Sequence, residues 1–198
     1  MVIFLAGVHG VGKTFMGKPA AETLGLRYAT ASSLIREALN GKTTWQESKH
    51  TSNIDANQEA LITAVNSIIE SSDVVLVLDG HFVLRNESGG LVSIPTDVFR
   101  RLGLSAVILL ESPSTVIAAR LEERGAPQSI EKISEMANAE LGRAEQVCRE
   151  IGIELTRLVS PSSEQLLIAL RRLLSSTKKI ASEDLIQSPS VSIPRRLI

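Results

Sequence analysis

Residues 7–14 read GVHGVGKT and follow an uninterrupted apolar run, VIFLA, at 2–6. A short apolar run of this kind is a buried strand. Glycines then allow a tight reversal that side chains would block, and a helix starts at Lys13. Strand, glycine turn and helix in this order form an anion cradle. The turn's N–H groups converge on one concavity and the helix N-terminus adds positive potential. The G-x-x-x-x-G-K-T spacing lets Lys13 reach the β- and γ-phosphates of a nucleoside triphosphate and lets the Thr14 hydroxyl ligate Mg²⁺. The residues expected to hold the nucleotide are Gly7, His9, Gly10, Val11, Gly12, Lys13, Thr14 and Phe15. ATP and Mg²⁺ are the expected cofactors. The bland alternative is a glycine turn that merely opens a Rossmann-type helix.

The chain has 198 residues, enough for one domain with a sizeable core and a short tail. Its formal charge is −1 and there is no long basic run. That gives no support for a general nucleic-acid or membrane-surface role. Cys148 is the single cysteine, so there is no disulfide framework, and a reducing cytoplasm is the expected setting. The first residues enter a core strand directly, which argues against a signal peptide. No apolar stretch approaches the roughly 20 residues of a membrane span.

Strand and helix patterns alternate along the chain, the signature of βαβ units and a parallel sheet. A helix is expected from Lys13 to about Leu24, stopped by Gly25 and interrupted by Pro19. A short strand at 27–29 and a helix over 32–39 follow. Residues 41–53 are polar and aperiodic and read as a mobile loop. Leu61, Ala64, Val65, Ile68 and Ile69 share one face of the next helix. VVLVL at 74–78 is a buried strand ending in Asp79-Gly80-His81, and 82–95 reads as a hairpin with its turn at 86–90. A short helix over 96–102, a strand at 106–110 and a helix to Arg124 come next. After the break at 125–127 a long helix is expected from Ser129 to Ile151. Its buried stripe is read as Ile130, Ile133, Ala137, Leu141, Ala144, Cys148 and Ile151. A last strand, 153–159, and a last helix end near Ser176. The domain is thus 1–176, with an acceptor region at about 30–71 and a short lid at about 120–130. Residues 177–198 read as a flexible tail available to a protein partner.

A carboxylate at the tip of a buried strand beside the glycine loop can hold Mg²⁺, and Asp79 is in that position; Glu111 is the runner-up. Phosphoryl transfer also needs positive groups that neutralise the moving phosphoryl. Arg120 and Arg124 lie four residues apart on one helix face, just before the break where a lid could hinge. Neighbouring Glu122 and Glu123 offer the plainer reading of a surface salt-bridge ladder. Arg143 lies on the long helix, with function and a solvated face equally open. Arg36 and Arg85 are candidates to hold the acceptor. His81, next to the metal carboxylate, is a candidate to orient or deprotonate it, with a structural histidine as the alternative. His50 reads as exposed, and Trp45 either stacks on a base or anchors its loop. No His/Cys cluster has metal-ligand spacing.

Taken together, these segments resemble the P-loop nucleoside and nucleotide kinases, specifically the adenylate kinase group. The nearest flavour is the short-lid archaeal adenylate kinase and its relatives, including an adenylate-kinase-like ATPase that assists ribosome assembly. GVHGVGKT resembles the family's phosphate loop and DGH its acidic strand end. ATASSLIRE (29–37) resembles the segment whose arginine grips a monophosphate, which would be Arg36 here. GGLVSIPTDVF resembles the stretch that the archaeal enzymes carry between two strands. VILLESPSTVIAARLEER resembles the strand and helix leading into the lid, implying lid-base roles for Arg120 and Arg124. LGRAEQV puts Arg143 where a family arginine reaches back to the phosphates. The implied fold is α/β: a five-stranded parallel sheet between helices in three layers. The sequence departs from the family in its lid, GAPQSIEK, and in Ser32-Ser33, which replaces Gly-Asp.

The expected activity is transfer of the γ-phosphoryl group from ATP to a small molecule, a nucleotide or nucleoside. Lys13, Arg120, Arg124 and Arg143 are the catalytic candidates. Thr14 and Asp79 are the metal ligands, and Arg36, His81 and Arg85 the acceptor-binding residues. The alternative is a nucleotide-dependent switch or assembly factor with slow ATPase activity, acting through a protein partner. The oligomeric state stays open, a homo-oligomer included.

Overall fold

Aliphatic runs that no polar residue interrupts are forced to pair where both faces can be covered, and here they build one parallel sheet. The computed structural model describes residues 1–39, 54–86 and 88–186. The elements are, in order, β1 (Val2–Ala6), α1 (Lys13–Thr23), β2 (Arg27–Thr30), α2 (Ala31–Ala38), α3 (Ile54–Ser71), β3 (Leu76–Asp79) and β4 (Val83–Arg85). They continue with β5 (Leu91–Ser93), α4 (Thr96–Arg101), β6 (Leu104–Glu111), α5 (Ser114–Glu123), α6 (Ile130–Ile151), β7 (Glu154–Val159) and α7 (Ser163–Ile186).

The sheet order is β2-β3-β1-β6-β7, all parallel, and β4 and β5 form a separate antiparallel hairpin. β1 sits in the middle with every residue buried. The chain leaves β1 toward β2 and afterwards progresses the other way across the sheet. Right-handed crossovers therefore put α1 on one face and the later helices on the other. α7 joins α1 on its face, while α4, α5 and α6 form the opposite layer. The result is the expected three-layer α/β arrangement. Phe4 of β1, Phe82 just after β3 and Phe99 of α4 form an aromatic nucleus, with centroids 4.6–5.6 Å apart. Such contacts add to the area that the rings bury.

Register places the chemistry. Leu5 is opposite Asp79, and Asp79 is opposite Thr30. The phosphate loop after β1, the Asp79 tip of β3 and the start of α2 therefore meet at the carboxyl edge of the sheet. That edge, where strand order reverses direction, is where open α/β sheets form their binding crevice.

Several boundaries differ from expectation. β3 starts at Leu76, two residues late, because Val74 and Val75 are only partly covered. α1, by contrast, ends at Thr23 with Pro19 inside it, within a residue of its expected end at about Leu24. α6 has its expected ends, capped by Ser129 and Gly152. Its buried face, however, includes Met136, Glu140 and Val147, while Ile130 is 45% exposed. The face is rotated because a charged residue, Glu140, points inward. α7 continues to Ile186 rather than ending near Ser176, so the first ten residues assigned to the tail are helical. The loop with Trp45 and His50, and residues 187–198 of the tail, lie outside the described residues.

Helix α1 lies close on the sheet at Gly17. A Cβ there would come within 2.6 Å of Leu5 and 2.9 Å of Tyr28. Gly17→Val should overpack this contact and cost about 1–3 kcal/mol, measurable as a lower denaturation midpoint. An unchanged midpoint would mean that the helix-to-sheet spacing is not fixed by this glycine.

Candidate active site

Three glycines of the phosphate loop have positive φ: Gly7 at 135°, Gly10 at 82° and Gly12 at 111°. L-residues rarely adopt this conformation. A Cβ on Gly7 would also lie 2.5 Å from the Leu110 carbonyl. Gly12 is the N-cap of α1, and no side chain caps the helix there. Its first N–H groups thus remain directed at the cradle, as an anion site requires.

Lys13 is 6% exposed. Its Nζ donates to the Gly7 carbonyl and lies 3.7 Å from Asp79 Oδ1 and 3.4 Å from His81 Nε2. Burial lowers the Lys13 pKa, while Asp79 and Glu140 oppose that shift. Asp79 Oδ2 accepts from the Thr14 hydroxyl at 3.0 Å and the Tyr28 hydroxyl at 2.6 Å. Burial, then the Asp79 charge, pushes the Tyr28 pKa up, so the phenol stays a donor.

Thr14 and Asp79 supply a hydroxyl and a carboxylate in contact, hard oxygen donors of the kind Mg²⁺ takes. Among the described residues no group of three His, Cys, Asp or Glu side chains could hold a metal unaided. Both observations fit a Mg²⁺ that completes its shell with phosphate oxygens and water. Glu111 is placed otherwise: it forms a bidentate pair with Arg157 at 2.8 and 2.9 Å.

The residue that sequence reasoning missed is Glu140. It is 1% exposed, and its carboxylate accepts from the backbone N–H groups of Gly7 at 3.3 Å, Phe82 at 3.0 Å and Val83 at 2.9 Å. It lies 3.7 Å from His81 Nδ1. One carboxylate thereby joins the start of the phosphate loop to the turn after Asp79. Burial raises its pKa, opposed by the backbone donors and by Lys13. A glutamate on an amphipathic helix reads as solvated by its residue type alone. The available signal was its position one turn before Ala144, on the stripe that faces the sheet.

The other candidates are distributed as follows. Arg120 reaches the phosphate loop, donating to the Val11 carbonyl at 2.9 Å. Arg124 is the exposed C-cap of α5, opening the exposed 124–129 linker to α6. Arg143 is not aimed at the loop: it donates to the Ile94 carbonyl at 2.8 Å and to Thr96 at 3.0 Å, anchoring the segment after the hairpin and the start of α4 to α6. In this structure it braces that segment instead of reaching back to the cradle. Arg85 ties the hairpin to α6 through the Lys132 carbonyl and Glu135, both at 2.9 Å. Arg36 is exposed on α2. His9 is exposed and its ring lies 4.3 Å from that of His81. The His81 side chain is 13% exposed, and burial, then Lys13 and His9, lowers its pKa well below the usual histidine range. Phe15 is 76% exposed beside the cradle. A cavity adjoins Asp79, His81 and His9 and is lined by Arg85 as well.

Glu140→Gln keeps the shape but removes the charge. Because the folded pKa is raised, the glutamate's contribution to stability is present below its ordinary value of 4.5 and is lost as pH rises through the folded value. The wild type should therefore lose stability relative to the variant as pH climbs above about 4.5. Parallel melting curves across that range would show it, and a difference that stays flat with pH would contradict it.

The comparisons agree with this geometry. A family model described as an AAA domain matches residues 6–137. A "Putative adenylate kinase" from Pyrococcus abyssi is 31% identical over 143 residues, 71% of this chain and 64% of that protein. Its counterpart from Pyrococcus furiosus is 30% identical over 141 residues, with the same coverage. The chain thus spans 64% of the length of these relatives. Shikimate kinase from Acinetobacter baumannii, solved with shikimate, superposes with a TM-score of 0.56 at 16% identity, covering 89% of this chain and 94% of that one. At that identity the likeness concerns the fold. The chain belongs to the family that the AAA-domain model describes, and it is similar to the putative adenylate kinases of Pyrococcus.

Proposed function

We propose that this protein is an ATP-dependent phosphotransferase that moves the γ-phosphoryl group to a small-molecule hydroxyl or phosphate, with a nucleotide or nucleoside as the acceptor class. The observation that carries this reading is the shared wall: Asp79 belongs both to the phosphate site, through Thr14 and Lys13, and to the adjoining cavity. A donor site and an acceptor-sized cavity meeting at one carboxylate suit direct transfer.

Lys13 exchanges its contact with the Gly7 carbonyl for phosphate oxygens when nucleotide enters the cradle. Thr14 and Asp79 hold Mg²⁺, which when bound neutralises charge on the β- and γ-phosphates. Arg120, already on the loop, adds positive charge beside the cradle. Arg124, at the hinge of the 124–129 linker, approaches when that linker closes and excludes water. The acceptor oxygen bonds to the γ-phosphorus as the bond to the bridging oxygen breaks, and ADP leaves with that electron pair. The acceptor proton passes to the departing phosphates or to solvent as transfer proceeds, and His81, held neutral on the cavity wall, orients the acceptor.

Lys13→Ala should lower product formation by about 100-fold or more, the scale of losing one electrostatic donor from a transition state. Circular dichroism should show the fold retained. Unchanged turnover in folded Lys13→Ala protein would reject the assignment of the site.

A further inference from the structure

The cavity beside Asp79 has a volume of about 360 Å³, near the lower end for small-ligand sites, which run from about 300 to 1,000 Å³. Its walls are mainly apolar, built by Ile35, Leu61, Ile94, Val98, Phe99 and Met136. Polar groups enter from several elements, Ser32 of α2 and Gln128 of the linker among them. Asp79 comes from the tip of β3, with His81 next to it, and Gln58 comes from α3.

Charge decides which ligands suit these walls. Among the described lining residues Arg85 is the one side chain of fixed positive charge. Its guanidinium is already engaged by the Gly89 carbonyl at 2.7 Å and by the Lys132 carbonyl and Glu135 at 2.9 Å. Arg36 is outside the lining. Asp79 faces Lys13 and the proposed metal, and Glu140 sits behind the turn that carries His81. A phosphate dianion in the cavity would therefore meet one guanidinium, and a carboxylate already holds it. Burying charge without its own partner is unfavourable.

Gln58 gives the complementary observation. It is 7% exposed, and its Oε1 has no hydrogen-bond partner among the described residues. A buried amide oxygen facing a cavity is satisfied when the ligand brings a donor.

We propose that the acceptor is an uncharged cyclic alcohol of about nucleoside size, with an apolar ring body and an N–H or O–H donor for the Gln58 carboxamide, and not a monophosphate. This rests on the phosphotransferase reading above. Among the described residues the cavity offers apolar area and the unpartnered Gln58 oxygen and His81 Nδ1, while Arg85, its one fixed cation, is engaged.

The test uses the full chain with ATP and Mg²⁺ and two series of acceptors. The neutral series holds nucleosides and cyclic alcohols. The anionic series holds the matching 5′-monophosphates and hydroxy acids. ADP release and the mass of the product report transfer, and calorimetry reports ATP binding independently. A neutral acceptor should exceed its anionic counterpart in kcat/KM by roughly tenfold or more. Gln58→Leu should raise the KM for that acceptor by about tenfold and leave the Kd for ATP unchanged. Preference for a monophosphate would overturn the proposal, and so would an acceptor KM that Gln58→Leu does not move. If neither series receives phosphoryl while ATP still binds, the phosphotransferase reading itself fails. That outcome differs visibly from transfer to the wrong series.

Discussion

The carboxylate of Glu140 is the tie on which the active edge depends. The phosphate loop follows β1 and the Asp79 turn follows β3, and past the end of β3 the Gly80 N–H still donates to the Leu5 carbonyl at 3.1 Å. Glu140, from a helix on the layer above, accepts one N–H from the first loop and two from the second. Its charge is buried, which is unfavourable alone and tolerable only with such donors around it. The same group lies close to Lys13 and His81 in the electrostatic sense. Glu140 therefore contributes at once to loop position, to the environment of Lys13 and to the wall of the cavity.

Around that tie the site is held in a self-satisfied state. Lys13 bonds the loop's own first carbonyl, Thr14 and Tyr28 bond Asp79, and Arg120 bonds the loop from outside. Each of these contacts occupies a group that phosphate, metal or transition-state charge would otherwise use. Binding is then an exchange of partners within a preformed frame, which keeps reorganisation small. The aromatic nucleus of Phe4, Phe82 and Phe99 fixes the floor beneath, so the frame cannot drift with the exchange.

Two arginines illustrate how tertiary context reassigns a residue. The family resemblance implies that Arg143 reaches back to phosphates, yet here it donates to the Ile94 carbonyl at 2.8 Å. Arg85 follows the metal carboxylate closely in sequence, yet β4 carries it toward α6 and Glu135. In both cases an arginine's fork was captured by an available acceptor, as its geometry favours. The acceptor side of the crevice is left apolar as a result.

The sequence by itself determined the glycine loop, the parallel sheet, the place of Asp79 at a strand end beside that loop, and both ends of α6. All of these are local: glycine spacing, unbroken aliphatic runs, a serine cap and a glycine stop act over a few residues. It did not reveal Glu140, because a buried glutamate and a solvated one look alike in a helical pattern. What separates them is the presence of three backbone donors from elements 57 to 133 residues away. Tertiary structure alone decided that, along with the partners of Arg85 and Arg143 and the shape of the cavity. Hydrogen-bond partners and cavity walls come from segments distant in sequence, and no spacing rule within one helix can specify them.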